Sequence, residues 1–333
     1  MMYLLGYDIG GTKCAAILGV CDTEDGKCRI IGKHGIATAD FFGYKGVMNA
    51  LFSESDRLLA EYGIAPSELH AVGVSCGGPL DSNKGVVLSP PNLPDWDNVP
   101  IVADIERHYR VTARLSNDAD ACALAEWKFG AGFGCRNMIF LTFGTGMGAG
   151  LILNGKLYSG ANNMAGEVGH IRLAEDGPAG YGKNGSFEGF CSGGGLAASA
   201  LYYKERFISE HGKTPLLERN PYPTAKELAE AARNGDAFGR FILSNCAKRL
   251  AQGLSILIDI LNPEKIVIGS IYARNRDFFN EIILPIIKEE TLPLSRSVCD
   301  IVPAALGEQI GDYAALGTAL LSSEKSEESA NGL

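Results

Sequence analysis

Tyr3-Leu4-Leu5-Gly6-Tyr7-Asp8-Ile9-Gly10-Gly11-Thr12-Lys13 governs how the rest of the chain is read. An apolar run enters a glycine turn, and a second apolar run, Cys14 to Leu18, leaves it. The pattern returns at Met138-Ile139-Phe140-Leu141-Thr142-Phe143-Gly144-Thr145-Gly146-Met147-Gly148-Ala149-Gly150, followed by Leu151 to Leu153. A strand–glycine turn–strand hairpin presents backbone N–H groups at its tip, where no Cβ obstructs a phosphate. One such tip is better explained by a tight β-turn in a sheet protein. Two of them, about a domain apart, suggest a nucleotide gripped from two sides, and Asp8 and Thr12 add a metal-facing carboxylate and a hydroxyl to the first.

Two look-alikes are excluded. A Walker P-loop has Lys directly after its last Gly, whereas Gly11-Thr12-Lys13 interposes a Thr. The P-loop and the Rossmann fingerprint both run from strand into helix. Here Ala15 to Leu18 and Gly150 to Gly155 read as short strands closing in turns.

The 333 residues suffice for two domains with separate cores. Hydrophobic residues make up 46% and charged residues 21%, the composition of a soluble globular protein. Lys and Arg number 30 against 39 Asp and Glu, a formal charge of −9 without a basic block, so no nucleic-acid partner is expected. Nine cysteines without a C-x-x-C pair suggest reduced thiols in a cytoplasmic protein. The seven-residue spacing of Cys14, Cys21 and Cys28 crosses an apparent hairpin and reads as coincidence. No signal peptide and no run long enough to span a bilayer are found, so no membrane association is expected.

Strands fill Tyr3 to about Ile36, with turns at Gly10-Gly11 and Asp25-Gly26. Apolar spacing predicts a helix over Asn49 to Tyr62, a buried strand over Ala71 to Ser75 and a loop over the proline-rich Ser89 to Trp96. A strand over Thr112 to Leu115 and a helix over Ala119 to Phe129 leave Asn117 and Asp118 at their junction. Glycine-rich Ser159 to Gly195 is loop-like yet carries Glu167, His170 and Glu188. Beyond it, helices within Thr224 to Leu261, a strand at Lys265 to Ile268, a helix over Asp277 to Glu290, a strand over Val298 to Pro303 and a helix over Gly311 to Leu321 are expected. The alternation makes the class α/β.

In order along the chain, Asp8 to Lys13, Ser89 to Trp96, Asn117-Asp118-Ala119-Asp120-Ala121, Gly144 to Gly148 and Gly166-Glu167-Val168-Gly169-His170 closely resemble the ROK sugar kinases. These, named for repressor, open reading frame and kinase, belong to the actin-like ATPase superfamily. The resemblance covers nearly the whole chain up to about Ser322. It implies a two-domain actin-like (ribonuclease H-like) α/β fold hinged around a central cleft. The expected domains are 1–116 with 305–322, and 117–304, followed by a disordered tail at 323–333.

The resemblance also implies site roles. ATP phosphates would meet Gly10, Gly11, Thr12 and Lys13 in the first turn and Gly144, Thr145, Gly146 and Gly148 in the second. Gly269 and Ser270 would lie on the adenosine side, with Ser270 in place of the usual second glycine. Asp8 would hold Mg²⁺ through water, and Asp118 would be the general base. Spacing alone also allows Asp118 to be a helix N-cap, and a carboxylate can do both. Gly78, Asn92, Asn117, Glu167, His170 and Glu188 would read the sugar by hydrogen bonds. Many members follow the histidine with a zinc-binding C-x-C-G-x-x-G-C-x-E run. Here Ala179, Tyr181 and Ser186 occupy the thiolate positions, so no zinc is expected.

The expected activity is ATP-dependent phosphorylation of a hexose, at O6 of glucose or a related aldohexose. The runner-up substrate is N-acetylmannosamine or N-acetylglucosamine. A sugar-sensing regulator is the rival class; such regulators carry a helix-turn-helix ahead of the kinase-like part, and the early position of Gly10 argues against one here. A homodimer is expected from the resemblance.

Overall fold

The first glycine turn joins two antiparallel strands, as its flanking apolar runs require: β1 (Met2–Ile9) pairs with β2 (Lys13–Asp22). The computed structural model describes residues 2–22 and 27–321. The turn expected at Asp25-Gly26 and the tail expected at 323–333 lie outside the described residues. β3 (Lys27–Ala37), β4 (Leu69–Cys76) and β5 (Ala113–Ser116) complete a sheet of order β3-β2-β1-β4-β5. β1, β4 and β5 run parallel, so their carboxyl ends lie along one edge.

Alternation divides the side chains of β1 between the two faces of this sheet. Leu5, Tyr7 and Ile9 join Val72 and Val74 of β4 in a core with Val47 and Leu51 of α1 (Gly43–Glu61) and Ile101 and Ile105 of α2 (Ile101–Tyr109). Leu4, Gly6 and Asp8 face the opposite way, where the returning helix Ile310–Ala319 lies. Gly6 and Gly73 are register partners there. A Cβ on Gly73 would stand 2.0 Å from the Ala315 carbonyl oxygen, and one on Gly6 would stand 2.8 Å from Ala315 Cβ. Glycine at both positions therefore sets how closely the helix approaches the sheet.

α3 (Asp118–Phe129) shares this face, with Ala121 and Ala125 packed on Ala314. The packing moves a boundary. One compact unit gathers the described residues up to Gly134, Ser159–Asn163 and the described residues from Leu306. Residues 117–134, expected in the larger domain, belong to this unit because the small side chains of α3 bury against the returning helix. Glu126, fully buried, ties the two by accepting from the Leu306 amide at 2.9 Å.

The other unit, Cys135–Tyr158 with Met164–Ala305, repeats the topology. β6 (Met138–Leu141), β7 (Ala149–Leu153), β8 (Lys156–Leu157), β9 (Lys265–Ile268) and β10 (Asp300–Pro303) form a sheet ordered β8-β7-β6-β9-β10. Its β6–β7 pair is antiparallel and its β6–β9–β10 strands are parallel, as in the first sheet. Helices α4 (Phe187–Phe190), α5 (Gly193–His211), α6 (Ala225–Arg233), α7 (Ala237–Leu261) and α8 (Arg276–Glu290) contribute its core, centred on Phe187, Leu196, Leu250, Leu254 and Phe279. A break at Asn234-Gly235 separates α6 from α7, with Asp236 capping the latter.

The cysteine expectation fails at one pair. Cys21 and Cys28 are register partners across β2–β3 and are joined by a disulfide, so their spacing is a cross-strand pairing rather than coincidence. Cys14, seven residues earlier, is a buried free thiol. Among the described residues no helix is long and apolar enough to cross a membrane.

Candidate active site

The parallel strands deliver the first set of site residues. Asp8 of β1 is the register partner of Ser75 of β4, and Ser75 is the partner of Ser116 of β5. All three lie near the carboxyl ends of their strands, where open α/β sheets place ligands. The glycines at 6 and 73 let the returning helix sit on the sheet two residues earlier, so Asp8 meets its first turn. A Cβ on Gly311 would lie 3.1 Å from Asp8 Oδ2.

Asp118 enters from the start of α3. Asn117, not Asp118, is the N-cap: its Oδ1 accepts from the Asp120 amide at 2.8 Å, and its Nδ2 donates to Asp120 Oδ2 at 3.1 Å. Asp118 is thereby released from capping and stays exposed to solvent. A Cβ on Gly77 would lie 3.6 Å from its Oδ2, so the glycine leaving β4 runs beside the carboxyl. Asp118 is open to solvent on one side and crowded by protein on the others. Desolvation, then repulsion from Asp8, pushes its pKa up to about 6, while a hydrogen bond from Ser75 opposes the rise. Asp8 is raised too, by desolvation and the nearby Asp312 carboxylate, against the pull of Lys33 and Lys13. Lys33 Nζ reaches Asp312 Oδ1 at 2.5 Å.

The first turn is tightly fixed. The Gly10 amide donates to the Lys13 carbonyl at 3.1 Å, and the Gly10 carbonyl accepts from Thr38 Oγ1 at 2.7 Å. Gly11, Thr12 and Lys13 are exposed at its tip. A Cβ on Gly11 would stand 2.4 Å from the Asn92 carbonyl oxygen, so the turn rests on the proline-rich loop. Leu93 and Trp96 bury that loop, with Trp96 edge-on to Tyr44. Asn92 and Gly78 remain exposed.

The second unit assembles its own set around Gly144–Gly148. Thr142 closes the turn, with its Oγ1 accepting from the Gly148 amide at 2.8 Å. Glu188 of α4 reaches the turn, its Oε2 accepting from the Met147 amide at 3.0 Å. Gly146 and Gly169 lie against Glu188, where a Cβ would come 2.9 Å from its Oε2 and 3.2 Å from its Cβ respectively. The start of α5 abuts the turn, as the Gly193 amide donates to the Gly144 carbonyl at 2.7 Å. Ser270 adopts φ +49°, the left-handed region that favours glycine, and its Oγ would lie 3.9 Å from a Cβ on Gly144. Glu167 and His170 are exposed on the adjoining helical turn.

The structure thus joins Asp8, the first turn, Asn92, Asn117 and Asp118 in one unit. In the other it joins the second turn, Glu188, Gly269 and Ser270. Both polar groups of the Asn117 side chain are engaged at the helix start. Ser75, Asp312 and the Ser192–Gly195 run escaped the sequence reading. The Ser-Gly-Gly-Gly run was a visible signal, whereas Ser75 and Asp312 carry none outside their tertiary neighbours.

At the zinc-motif positions the residues do not fit the ion. Tyr181 is exposed, Ala179 has no donor, and Ser186 Oγ is bonded to backbone groups. Among the described residues, no group of three His, Cys, Asp or Glu could hold a metal ion.

The family described as the ROK family matches residues 4–325. The glucokinase of Halalkalibacterium halodurans is 30% identical over 314 residues, covering 93% of this chain and 92% of that protein. The xylose repressor of Caldicellulosiruptor bescii is 28% identical over 73% of this chain but only 59% of its own length. Among solved structures, the ROK hexokinase from Thermus thermophilus superposes with a TM-score of 0.78 at 28% identity, covering 99% of this chain and 100% of the other. A ROK family glucokinase from Streptomyces griseus, in complex with glucose and AMPPNP, gives a TM-score of 0.69 at 28% identity, covering 95% and 99%. The two-sheet α/β architecture is that of these actin-like sugar kinases.

Proposed function

The chain belongs to the ROK family, and from that premise we propose that it is an ATP-dependent hexose kinase acting on O6 of glucose or a related aldohexose. One observation carries the reading. Asp118 is freed from capping, exposed, and raised to about 6 beside Asp8. A carboxylate with that pKa is mostly ionised at neutral pH yet more basic than an ordinary aspartate, which suits it to take a proton from a sugar hydroxyl.

Phosphoryl transfer depends on positioning and charge stabilisation more than on covalent help. In the proposed reaction Asp118 accepts the hydroxyl proton as the oxygen attacks the γ-phosphorus of ATP, whose bond to the β–γ bridging oxygen breaks so that ADP leaves and the sugar phosphate forms. The Gly10–Lys13 and Gly144–Gly148 turns bind phosphate oxygens through backbone N–H groups, with Thr12 and Lys13 adding polar and positive contacts. Gly269 and Ser270 lie toward the adenosine. Gly78, Asn92, Asn117, Glu167, His170 and Glu188 orient the sugar.

Asp8 fits a Mg²⁺ ion held through water. Magnesium favours hard oxygen ligands and retains several waters, and the pKa of the Asp8 carboxyl is raised first by burial and then by the neighbouring Asp312 carboxylate, both of which a bound cation would offset. Bound there, the ion would neutralise phosphate charge. The family resemblance supports a homodimer, and light scattering on the purified chain checks it.

The test is a coupled ADP-release assay across glucose, mannose, fructose, allose, N-acetylglucosamine and N-acetylmannosamine. Glucose or a near relative should give the highest kcat/KM. A preference for N-acetylmannosamine or N-acetylglucosamine would move the assignment to the runner-up. Hexose binding without turnover on any of them would favour a sugar-sensing role, the class to which the xylose repressor relative belongs.

A further inference from the structure

Ser186 sits where three backbone segments converge. It is fully buried at the N-cap of α4. Its Oγ accepts from the Gly189 amide at 3.1 Å and the Gly180 amide at 3.1 Å, and donates to the Gly180 carbonyl at 3.3 Å. One donor and two acceptor sites are all a hydroxyl offers, so its capacity is used up. An ordinary cap would make only the Gly189 bond. The two bonds to Gly180 fasten the short Ala179–Gly180/Lys183–Asn184 hairpin onto α4.

The fit leaves no space for side chains. A Cβ on Gly180 would lie 2.5 Å from the Gly189 nitrogen, and one on Gly189 would lie 2.2 Å from the Pro178 carbonyl oxygen. Arg172 holds the far side of the hairpin, donating to the Asn184 carbonyl at 2.7 Å. Two residues beyond Ser186, Glu188 projects to the Met147 amide in the second glycine turn. Its carbonyl in turn accepts from Ser192 Oγ at 2.9 Å, just before the glycines that start α5.

We propose that Ser186 is a positioning residue: its hydroxyl clasps the hairpin to α4 without a metal, and so fixes Glu188 and, through it, the second glycine turn. The inference deepens the proposed kinase reading, because it assigns the order of a sugar-side carboxylate and a phosphate-side turn to one buried hydroxyl. Losing that hydroxyl strands the Gly180 and Gly189 amides and lets α4 shift. Both the aim of Glu188 and the Met147 amide then lose definition.

The test uses the full-length chain, wild type and Ser186→Ala, with Ser186→Thr as the conservative rescue. Site-resolved amide hydrogen exchange should show Gly180, Gly189 and Met147 protected in the wild type. Ser186→Ala should speed exchange about tenfold at all three, the scale set by leaving a buried donor unpaired, and Ser186→Thr should restore it. In hexose kinetics Ser186→Ala should raise the sugar KM about tenfold with kcat changed much less. The wild type should melt at the same temperature with and without a zinc chelator and contain no stoichiometric zinc by elemental analysis.

Unchanged Met147 exchange and unchanged sugar KM in Ser186→Ala, with only a lower melting temperature, would reduce Ser186 to a simple cap and overturn the proposal. Stoichiometric zinc, or a chelator-induced fall in melting temperature, would overturn its metal-free part. If Ser186→Ala does not fold, Arg172→Ala loosens the same hairpin from its exposed side. Faster Met147 exchange in that variant supports the proposal, and unaltered exchange sinks it. Because exchange is read without substrate, a wild type that phosphorylates no hexose defeats the kinase reading and leaves the clasp testable.

Discussion

Replacing Ser75 by Ala should move the acidic limb of the pH–rate profile upward. Asp118 stands near 6, lifted by desolvation and by Asp8 and held down by the Ser75 hydrogen bond. A hydrogen bond to a carboxylate favours its ionised form, so removing the bond raises the pKa. Hydrogen bonds to charged groups contribute roughly 1.5–3 kcal/mol when well buried. Asp118 is exposed, and water will replace part of the lost bond, so a third to a half of that is the reasonable scale, about 1 kcal/mol. At about 1.4 kcal/mol per factor of ten, losing the bond raises the proton affinity of Asp118 about fivefold.

The consequence separates a catalytic from a structural effect. At pH 6 about half of the wild-type carboxyl is ionised against roughly one-sixth in the variant, so kcat/KM should fall about threefold. At pH 8 both are almost fully ionised and the two enzymes should agree. The assay is kcat/KM for the preferred hexose from pH 5 to 9, with nucleotide and magnesium saturating. A uniform loss across the range would show that Ser75 matters for folding rather than for Asp118. An acidic limb that stays in place, or moves down, would refute the assignment of Asp118 as the base whose ionisation limits the reaction.

Asp118→Asn should lower kcat by about 10²–10⁴ while hexose affinity measured by calorimetry changes little, and near-normal turnover would show that the base is misassigned. Ser270→Gly removes a left-handed strain of about 1–2 kcal/mol but adds unfolded-chain entropy of similar size, so stability by urea melting should rise by no more than about 1 kcal/mol. A clear loss of stability would mean that the Ser270 side chain contributes contacts that outweigh its backbone strain. Gly73→Ala should cost at least about 1–3 kcal/mol, because the new methyl would sit 2.0 Å from the Ala315 carbonyl oxygen; a variant melting like the wild type would show that the returning helix can shift without cost.

The chemistry was legible where it is written in short segments. Glycine turns flanked by apolar runs show in local spacing, and so do Asp8 at the end of β1 and the order of motifs that identified the family. Periodicity likewise located α6, α7 and β9 closely, because apolar spacing within an element is set by the helix or strand repeat. Spacing alone allowed Asp118 to be the cap, since it stands at the expected helix start and can accept from its amides. The coordinates chose Asn117, and that choice leaves Asp118 available for chemistry.

What the chain's linear order determined by itself was therefore the kind of molecule: two glycine hairpins, an α/β alternation, and the candidate side chains of the proposed phosphoryl transfer. Tertiary structure alone decided which of those side chains influence one another. The partnership of Ser75 with Asp118 follows from the parallel pairing of β4 with β5, and the nearness of Asp8 to the returning helix follows from Gly6 and Gly73. The hold of Ser186 on Gly180 follows from how a hairpin packs on α4. Sheet register and the approach of a helix are set by burial of surfaces distant in sequence, and no local pattern of residues encodes such a meeting.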